Sequence, residues 1–399
     1  MTSRTLSLVS LCSVLAGLLL AGCANESFPD VEEEALLDRE APDSEAELRP
    51  AQPTASRVQP ERSFIFRGHV YVLQGDQLGV TRADDPTRTC GVYHARGFIR
   101  RMDGGNGALY LAEDGVGVEV VDLSDPCRPR FVRMLSTLSA ATREARYVEV
   151  DGRQLFVSAS ENVAGRARWR VVAFDIADPL APVLQTSFPV NTDGDGLLVR
   201  VGPDHIAVGG GAAGVVIYSI SRGYIEGIIS EGPLGGMVRR GSRLYVYSGA
   251  FDHVSLSVWN ISRPGRPMLE GRVDVPDYAP YGDTNNLTIT VRRGRVLLYA
   301  GASPPFLGFG PDTFLAFDAT DPRDPRLLAQ IPTTFTPGGQ FLIPGDIDAV
   351  GDMAYVSGWP PPHFPPGYEY YVSRYDVSDP ANPVRIDTTR VPARVLSPR

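Results

Sequence analysis

The sequence predicts an all-β protein: a seven-bladed β-propeller of four-stranded blades, preceded by a signal peptide and a disordered acidic linker. Three observations carry this. A turn motif recurs seven times after residue 80. Between its copies lie short alternating runs bounded by Gly and Asp. No amphipathic helical pattern of useful length appears after residue 60.

The fullest copy of the motif is Val120-Val121-Asp122-Leu123-Ser124-Asp125-Pro126, with a second proline at Pro129. Close copies are Phe174 to Pro179 with Pro182, Trp259 to Pro264 with Pro267, Phe317 to Pro322 with Pro325, and Tyr375 to Pro380 with Pro383. Arg82 to Pro86 keeps only the turn, and Tyr218 to Gly223 has lost both prolines. Measured at the Pro86 position, the steps are 40, 53, 44, 41, 58 and 58 residues. A period of about 40 with tolerated insertions belongs to propellers or solenoids. Asp and Asn cap nearby backbone N–H groups, and proline pre-sets φ for a turn. The second proline opens the next strand, which suits an outermost strand and not a central one. Each motif is therefore expected to join the third strand of a blade to its fourth.

The remaining strands follow in order. In the second unit they are Gly97 to Met102 and Ala108 to Ala112, ahead of the motif strand. In the third they are Tyr147 to Val150 and Gln154 to Ser158. The seventh reads Gly345 to Val350, Met353 to Val356, Tyr370 to Tyr375 and Val384 to Asp387. These are runs of strand length separated by turn residues. Seven such units fill 62–399 as one propeller domain.

The Asp-x-Ser-Asp-Pro-x-x-Pro units resemble bacterial LVIVD-type β-propeller repeats over roughly residues 63–390. The first and fourth units depart from the pattern. That resemblance implies a propeller and says little about chemistry, because such repeats occur in many secreted proteins.

Residues 1–22 read as a lipoprotein signal peptide. Arg4 supplies the positive start, and Leu6 to Leu20 is an apolar core too short to span a bilayer. It ends in Leu20-Ala21-Gly22-Cys23, which resembles the bacterial lipobox, whose cysteine is acylated and becomes the mature N-terminus. The expected membrane partner is thus reached through a lipid on Cys23, and dual acylation holds a protein firmly. Ala24 rather than Asp follows, which favours the outer membrane of the cell envelope.

Residues 23–61 read as a lipidated, disordered tether. Glu26 to Glu47 carries ten acidic residues against one arginine, followed by a stretch rich in Pro, Ala, Thr and Ser. Such composition buries too little apolar surface to fold. As a flexible coil its reach is roughly 35 Å. This segment produces most of the net charge of −9, leaving the propeller near neutral.

Composition excludes several chemistries. All 38 basic residues are arginine, so lysine Schiff bases and a P-loop lysine are out. There is no nucleophile elbow, and the glycine-rich run at Gly209-Gly210-Gly211 reads as a loop between strands of the fourth unit, not as a dinucleotide fingerprint. Arginines do not cluster, and the pI is near 5.2, so no nucleic-acid surface is expected. The five histidines occur singly. Asn191, Asp193 and Asp195 match the start of a calcium loop, but Gly202 stands where its twelfth-position acid belongs. No cofactor is therefore expected, with calcium here the one weak candidate. Cys90 and Cys127 lie one unit apart, in the turns before fourth strands. The oxidising compartment favours a disulfide. The outward splay of adjacent blades and a three-residue difference in register oppose it, so the sequence leaves the bridge open.

Extra length concentrates in second-to-third connections (158–168, 303–312, 359–369) and in between-blade connections (276–286, 333–344). In a propeller both classes open on one face. Over blades 5–7 they carry Tyr278, Tyr281, Phe306, Phe309, Phe335, Phe341, Trp359, Phe364 and Tyr368, stiffened by prolines. Rigid aromatic loops lose little entropy on binding and suit recognition of a protein or glycan partner. The expectation is a non-catalytic binding or scaffolding module. The alternative is a propeller hydrolase or lactonase with a metal at the channel mouth, held by acids such as Asp346 and Asp348 with His363. Three or more carboxylates or imidazoles lining the axis would favour that enzyme.

Overall fold

The computed structural model describes residues 63–391, apart from 75, 86–88, 114, 136–143, 164–165, 192–195, 211–213, 250–252, 281–286, 304–312, 333–342 and 360–369. Those residues form seven antiparallel sheets, each a meander of consecutive strands. Blade 1 holds β1 (Ser63–Phe66), β2 (His69–Gln74), β3 (Gln77–Arg82) and β4 (Thr89–His94). Blade 2 holds β5 (Ile99–Gly105), β6 (Ala108–Glu113), β7 (Gly117–Asp122) and β8 (Arg130–Leu135). Blade 3 holds β9 (Glu144–Asp151), β10 (Gln154–Val163), β11 (Arg166–Asp175) and β12 (Val183–Val190). Blade 4 holds β13 (Leu197–Gly202), β14 (His205–Gly209), β15 (Val215–Ser219) and β16 (Ile225–Ile229). Blade 5 holds β17 (Leu234–Arg240), β18 (Arg243–Gly249), β19 (His253–Asn260) and β20 (Met268–Pro276). Blade 6 holds β22 (Leu287–Arg292), β23 (Arg295–Ser303), β24 (Thr313–Asp318) and β25 (Arg326–Pro332), with the two-residue β21 (Ala279–Pro280) also paired to β23. Blade 7 holds β26 (Ile343–Val350), β27 (Met353–Trp359), β28 (Tyr370–Asp376) and β29 (Val384–Val391).

First strands touch in succession: β1 with β5, β5 with β9, β9 with β13, β13 with β17, β17 with β22, β22 with β26, and β26 with β1. That closes a ring, so the fold is a seven-bladed β-propeller. Each blade is drawn from one consecutive stretch of chain, and among the described residues no strand is exchanged at the closure. The second and third strands are almost wholly buried, as in Ala108–Glu113 and Val215–Ser219, while the fourth are largely exposed. Apolar clusters lie between blades: Tyr71, Leu78 and Val80 pack on Met102, Leu109 and Val121 between blades 1 and 2. The closure between blades 7 and 1 rests on a smaller cluster of Val70, Val72, Tyr355 and Val372.

The recurrent turn behaves as its chemistry dictates. Asp122 Oδ1 accepts from Ser124 N at 2.8 Å, and Asp125 Oδ1 accepts from Cys127 N at 3.2 Å. Asp175, Asn260, Asp318 and Asp376 each cap the backbone two residues on in the same way. These side chains cap the turn. The turn carbonyls face the preceding blade. Pro126 O accepts from Tyr71 Oη (3.2 Å) and Pro179 O from Tyr110 Oη (2.7 Å).

Two features go beyond the sequence expectation. Every third-to-fourth strand pair carries a register shift at the equivalent place, from Val80/Thr81 to Arg374/Tyr375. A bulge there increases the local twist of the outer strand. The extension at 158–168, expected as a loop, is mostly strand: β10 and β11 pair from Gln154↔Asp175 out to Val163↔Arg166.

Three blades bring a fourth-strand glycine against the next blade's turn. A Cβ on Gly91 would lie 2.0 Å from Cys127 O, one on Gly227 2.2 Å from Pro264 O, and one on Gly271 2.5 Å from Pro322 O. Gly271→Ala must push this backbone apart, and an overpacking cost of about 1–3 kcal/mol is expected. Urea unfolding of the variant measures it, and a change within error of zero would show that the turn yields.

Candidate functional site

The described residues include only part of the sequence-predicted set. Tyr278 is half-buried against the cluster between blades 5 and 6, and its hydroxyl accepts from Thr313 Oγ1 at 3.3 Å. Tyr281, Phe306, Phe309, Phe335, Phe341, Phe364, Tyr368 and Cys23 lie outside the described residues, as does the side chain of Trp359. So do Asp193, Asp195, His363 and the side chain of Asp346. The backbone N–H of Asn191 donates to Tyr218 Oη at 2.9 Å. Asp348 is buried within β26.

Cys90 and Cys127 are joined by a disulfide between blades 1 and 2, with Cα atoms 5.3 Å apart. The outward splay that argued against the bridge is overcome locally. Gly91 has no side chain, so the blade 2 turn sits directly on β4.

Near the axis, β9, β13 and β17 enclose a cleft of about 160 Å³ lined by Glu149, Asp151, Arg200 and Arg239. Asp151 Oδ2 is 3.9 Å from Arg200 Nε. Arg200 donates to Gly202 O and Pro203 O, and Arg239 to Gly241 O and Arg200 O. Two carboxylates and two guanidiniums thus line this cleft. Asp103, on β5, accepts instead from the backbone of Gly104 and Val150.

A strongly perturbed group lies elsewhere. Glu113 ends β6 and Glu119 sits on β7, and both are fully buried between blades 1 and 2. Glu119 accepts from Tyr93 Oη and, at 3.3 Å, from Arg96 N. The Arg96 guanidinium stands 3.8 Å from Glu119 Oε1 and 3.9 Å from the Phe131 ring centroid. Among the described residues no donor reaches either oxygen of Glu113 in good geometry. Burial first, and then the adjacent Glu119, push its carboxyl up to about 9. At neutral pH burial and the neighbouring carboxylate therefore hold Glu113 as a neutral acid. The same neighbours raise the Tyr93 phenol, burial being the larger cause.

The repeat supplies an internal comparison. Aligned at the bulge, the Glu113 and Glu119 positions are Ala159 and Val172 in blade 3, Gly210 and Val216 in blade 4, and Ala302 and Leu315 in blade 6. In blade 5 they are Ser248 and Ser257, whose hydroxyls donate to Glu231, with Trp259 Nε1 and Arg272 beside it. The signal was present in the sequence as two acids in columns that elsewhere hold small or apolar residues, apart from Gln74 in blade 1. It becomes visible only once the bulge sets the alignment. The pair lies beneath the face on which second-to-third and between-blade connections lie.

No protein-family model matches the chain, and none of the curated proteins does. Among solved structures, the β-propeller domain of Cps50 (Swd1) from Myceliophteria thermophila matches at TM-score 0.50 and 14% identity, covering 75% of this chain and 93% of that one. A chain of a mitotic checkpoint complex matches at TM-score 0.50 and 11% identity, covering 81% and 95%. BamB from Moraxella catarrhalis matches at TM-score 0.42 and 10% identity, covering 72% and 77%. At such identities the first two define a class by fold alone: the chain is a β-propeller.

Proposed function

We propose that this propeller is a non-catalytic binding scaffold of the bacterial cell envelope, lipid-anchored at Cys23 and related to the LVIVD-repeat lipoproteins. It recognises a protein or glycan through the aromatic connections of blades 5–7. One observation carries the reading: the two faces are unequal. On one face the described first-to-second turns are short, and the third-to-fourth turns repeat one capped design. The connections 304–312, 333–342 and 360–369 all leave from strand ends on the other face. They hold Phe306, Phe309, Phe335, Phe341, Phe364 and Tyr368. Long connections on a rigid scaffold are where binding residues concentrate.

The test uses the double variant Trp359→Ala/Phe309→Ala. Its circular dichroism and melting should match the parent. Capture of envelope proteins or of an arrayed glycan should weaken by about thirtyfold or more for each anchoring ring removed. Unchanged capture with unchanged folding would remove the aromatic face from the reading.

A further inference from the structure

We propose that His69, Cys90 and Cys127 form a binding site for a zinc-type divalent cation when the Cys90–Cys127 disulfide is reduced. One ligand atom from each of the three side chains lies within 4.8 Å of the other two. Cys90 is exposed, and His69 and Cys127 are half-buried, so the cluster opens to solvent. His69 Nδ1 is 3.0 Å from Arg67 O, a carbonyl that only accepts, so Nδ1 carries the proton. That leaves the Nε2 lone pair as the ligand, with its tautomer and ring orientation fixed from outside the site.

The proximity of the two sulfurs does not depend on the bond between them. The strand-on-turn approach at Gly91 and Cys127 recurs at Gly227 and Pro264 and at Gly271 and Pro322, where there is no cysteine. Tyr71 Oη also ties the same turn to blade 1 through Pro126 O. Breaking the S–S bond therefore leaves two thiols held side by side next to an imidazole. A tetrahedral zinc ion needs thiolate and imidazole donors about 3.5–3.8 Å apart, given Zn–S near 2.3 Å and Zn–N near 2.0 Å. A small separation of the sulfurs reaches this.

The chemistry balances with an external dithiol as reductant. The dithiol gives two electrons and two protons to the Cys90–Cys127 bond and becomes a disulfide. Each new thiol then loses its proton as its sulfur binds the cation. His69 Nε2 is the third donor and water the fourth, an arrangement that leaves one exchangeable position. Bridge and metal are alternatives: the oxidised pair cannot ligate, and the ligated pair resists oxidation.

The experiment titrates Co²⁺, a spectroscopic stand-in for Zn²⁺, into the full chain reduced with a phosphine in detergent. One equivalent should produce a thiolate-to-cobalt charge-transfer band, and Zn²⁺ should abolish it. The band should be absent from the oxidised chain and from Cys90→Ser/Cys127→Ser, which controls for Cys12 and Cys23. His69→Ala should weaken binding at least tenfold. Zn²⁺ should also raise the melting temperature of the reduced chain and leave that of the oxidised chain unmoved. No band in the reduced parent, an equal band in the double serine variant, or undiminished affinity in His69→Ala each overturns the proposal.

Discussion

Replacing Cys90 and Cys127 together with serine should lower the unfolding free energy by about 4 kcal/mol, the loop-entropy value for the 37 residues the bridge spans. The native contacts between blades 1 and 2 remain, since Tyr71, Leu78 and Val80 still pack on Met102, Leu109 and Val121. The loss therefore falls on the unfolded chain, which regains the freedom the bridge denied it. Denaturant unfolding of the variant beside the oxidised parent measures the difference. A shift under about 1 kcal/mol would mean that the packing at this interface already supplies what the cross-link adds.

Glu113→Gln should change how stability depends on pH. In the folded parent the Glu113 carboxyl is raised from 4.5 to about 9. Below the unfolded value both states hold the proton, and its stabilising effect is fully present. Between 4.5 and about 9 the folded state keeps a proton that the unfolded state has lost. Stability then falls as pH rises, by at most about 1.4 kcal/mol per unit. Glutamine has the shape of the neutral acid, offers an N–H to Glu119 and has no proton to lose. The variant's profile should be flat where the parent's slopes, with a gain on the order of 2 kcal/mol near pH 8. Parallel profiles for the two proteins would show that Glu113 does not hold this proton.

The architecture was legible because one turn chemistry is written seven times. Asp and Pro at fixed offsets define a hairpin, and hairpins at a period of about 40 define blades. The inter-blade devices were hidden for a different reason. Gly91, Gly227 and Gly271 sit at different offsets from their turns, and only the shared bulge brings them into one column. The same bulge aligns Glu113 and Glu119 with Ala and Val of other blades. The Cys90–Cys127 pairing was undecidable from spacing because it depends on how closely a turn seats on the neighbouring strand, a tertiary distance. At 158–168 a polar, arginine-rich stretch carries no period that separates a loop from a lengthened hairpin. The aromatic connections were readable as composition alone.

Among the described residues the ring closes without strand exchange, which predicts where it comes undone. The seam between the last blade and the first is held by side chains such as Val70, Val72, Tyr355 and Val372, with no backbone ladder across it among the described residues. The covalent link lies one interface away and fastens the first blade to its inner neighbour. The molecule is thus a collar with a hasp beside its opening: on unfolding, the last blade is expected to peel away while the first stays pinned.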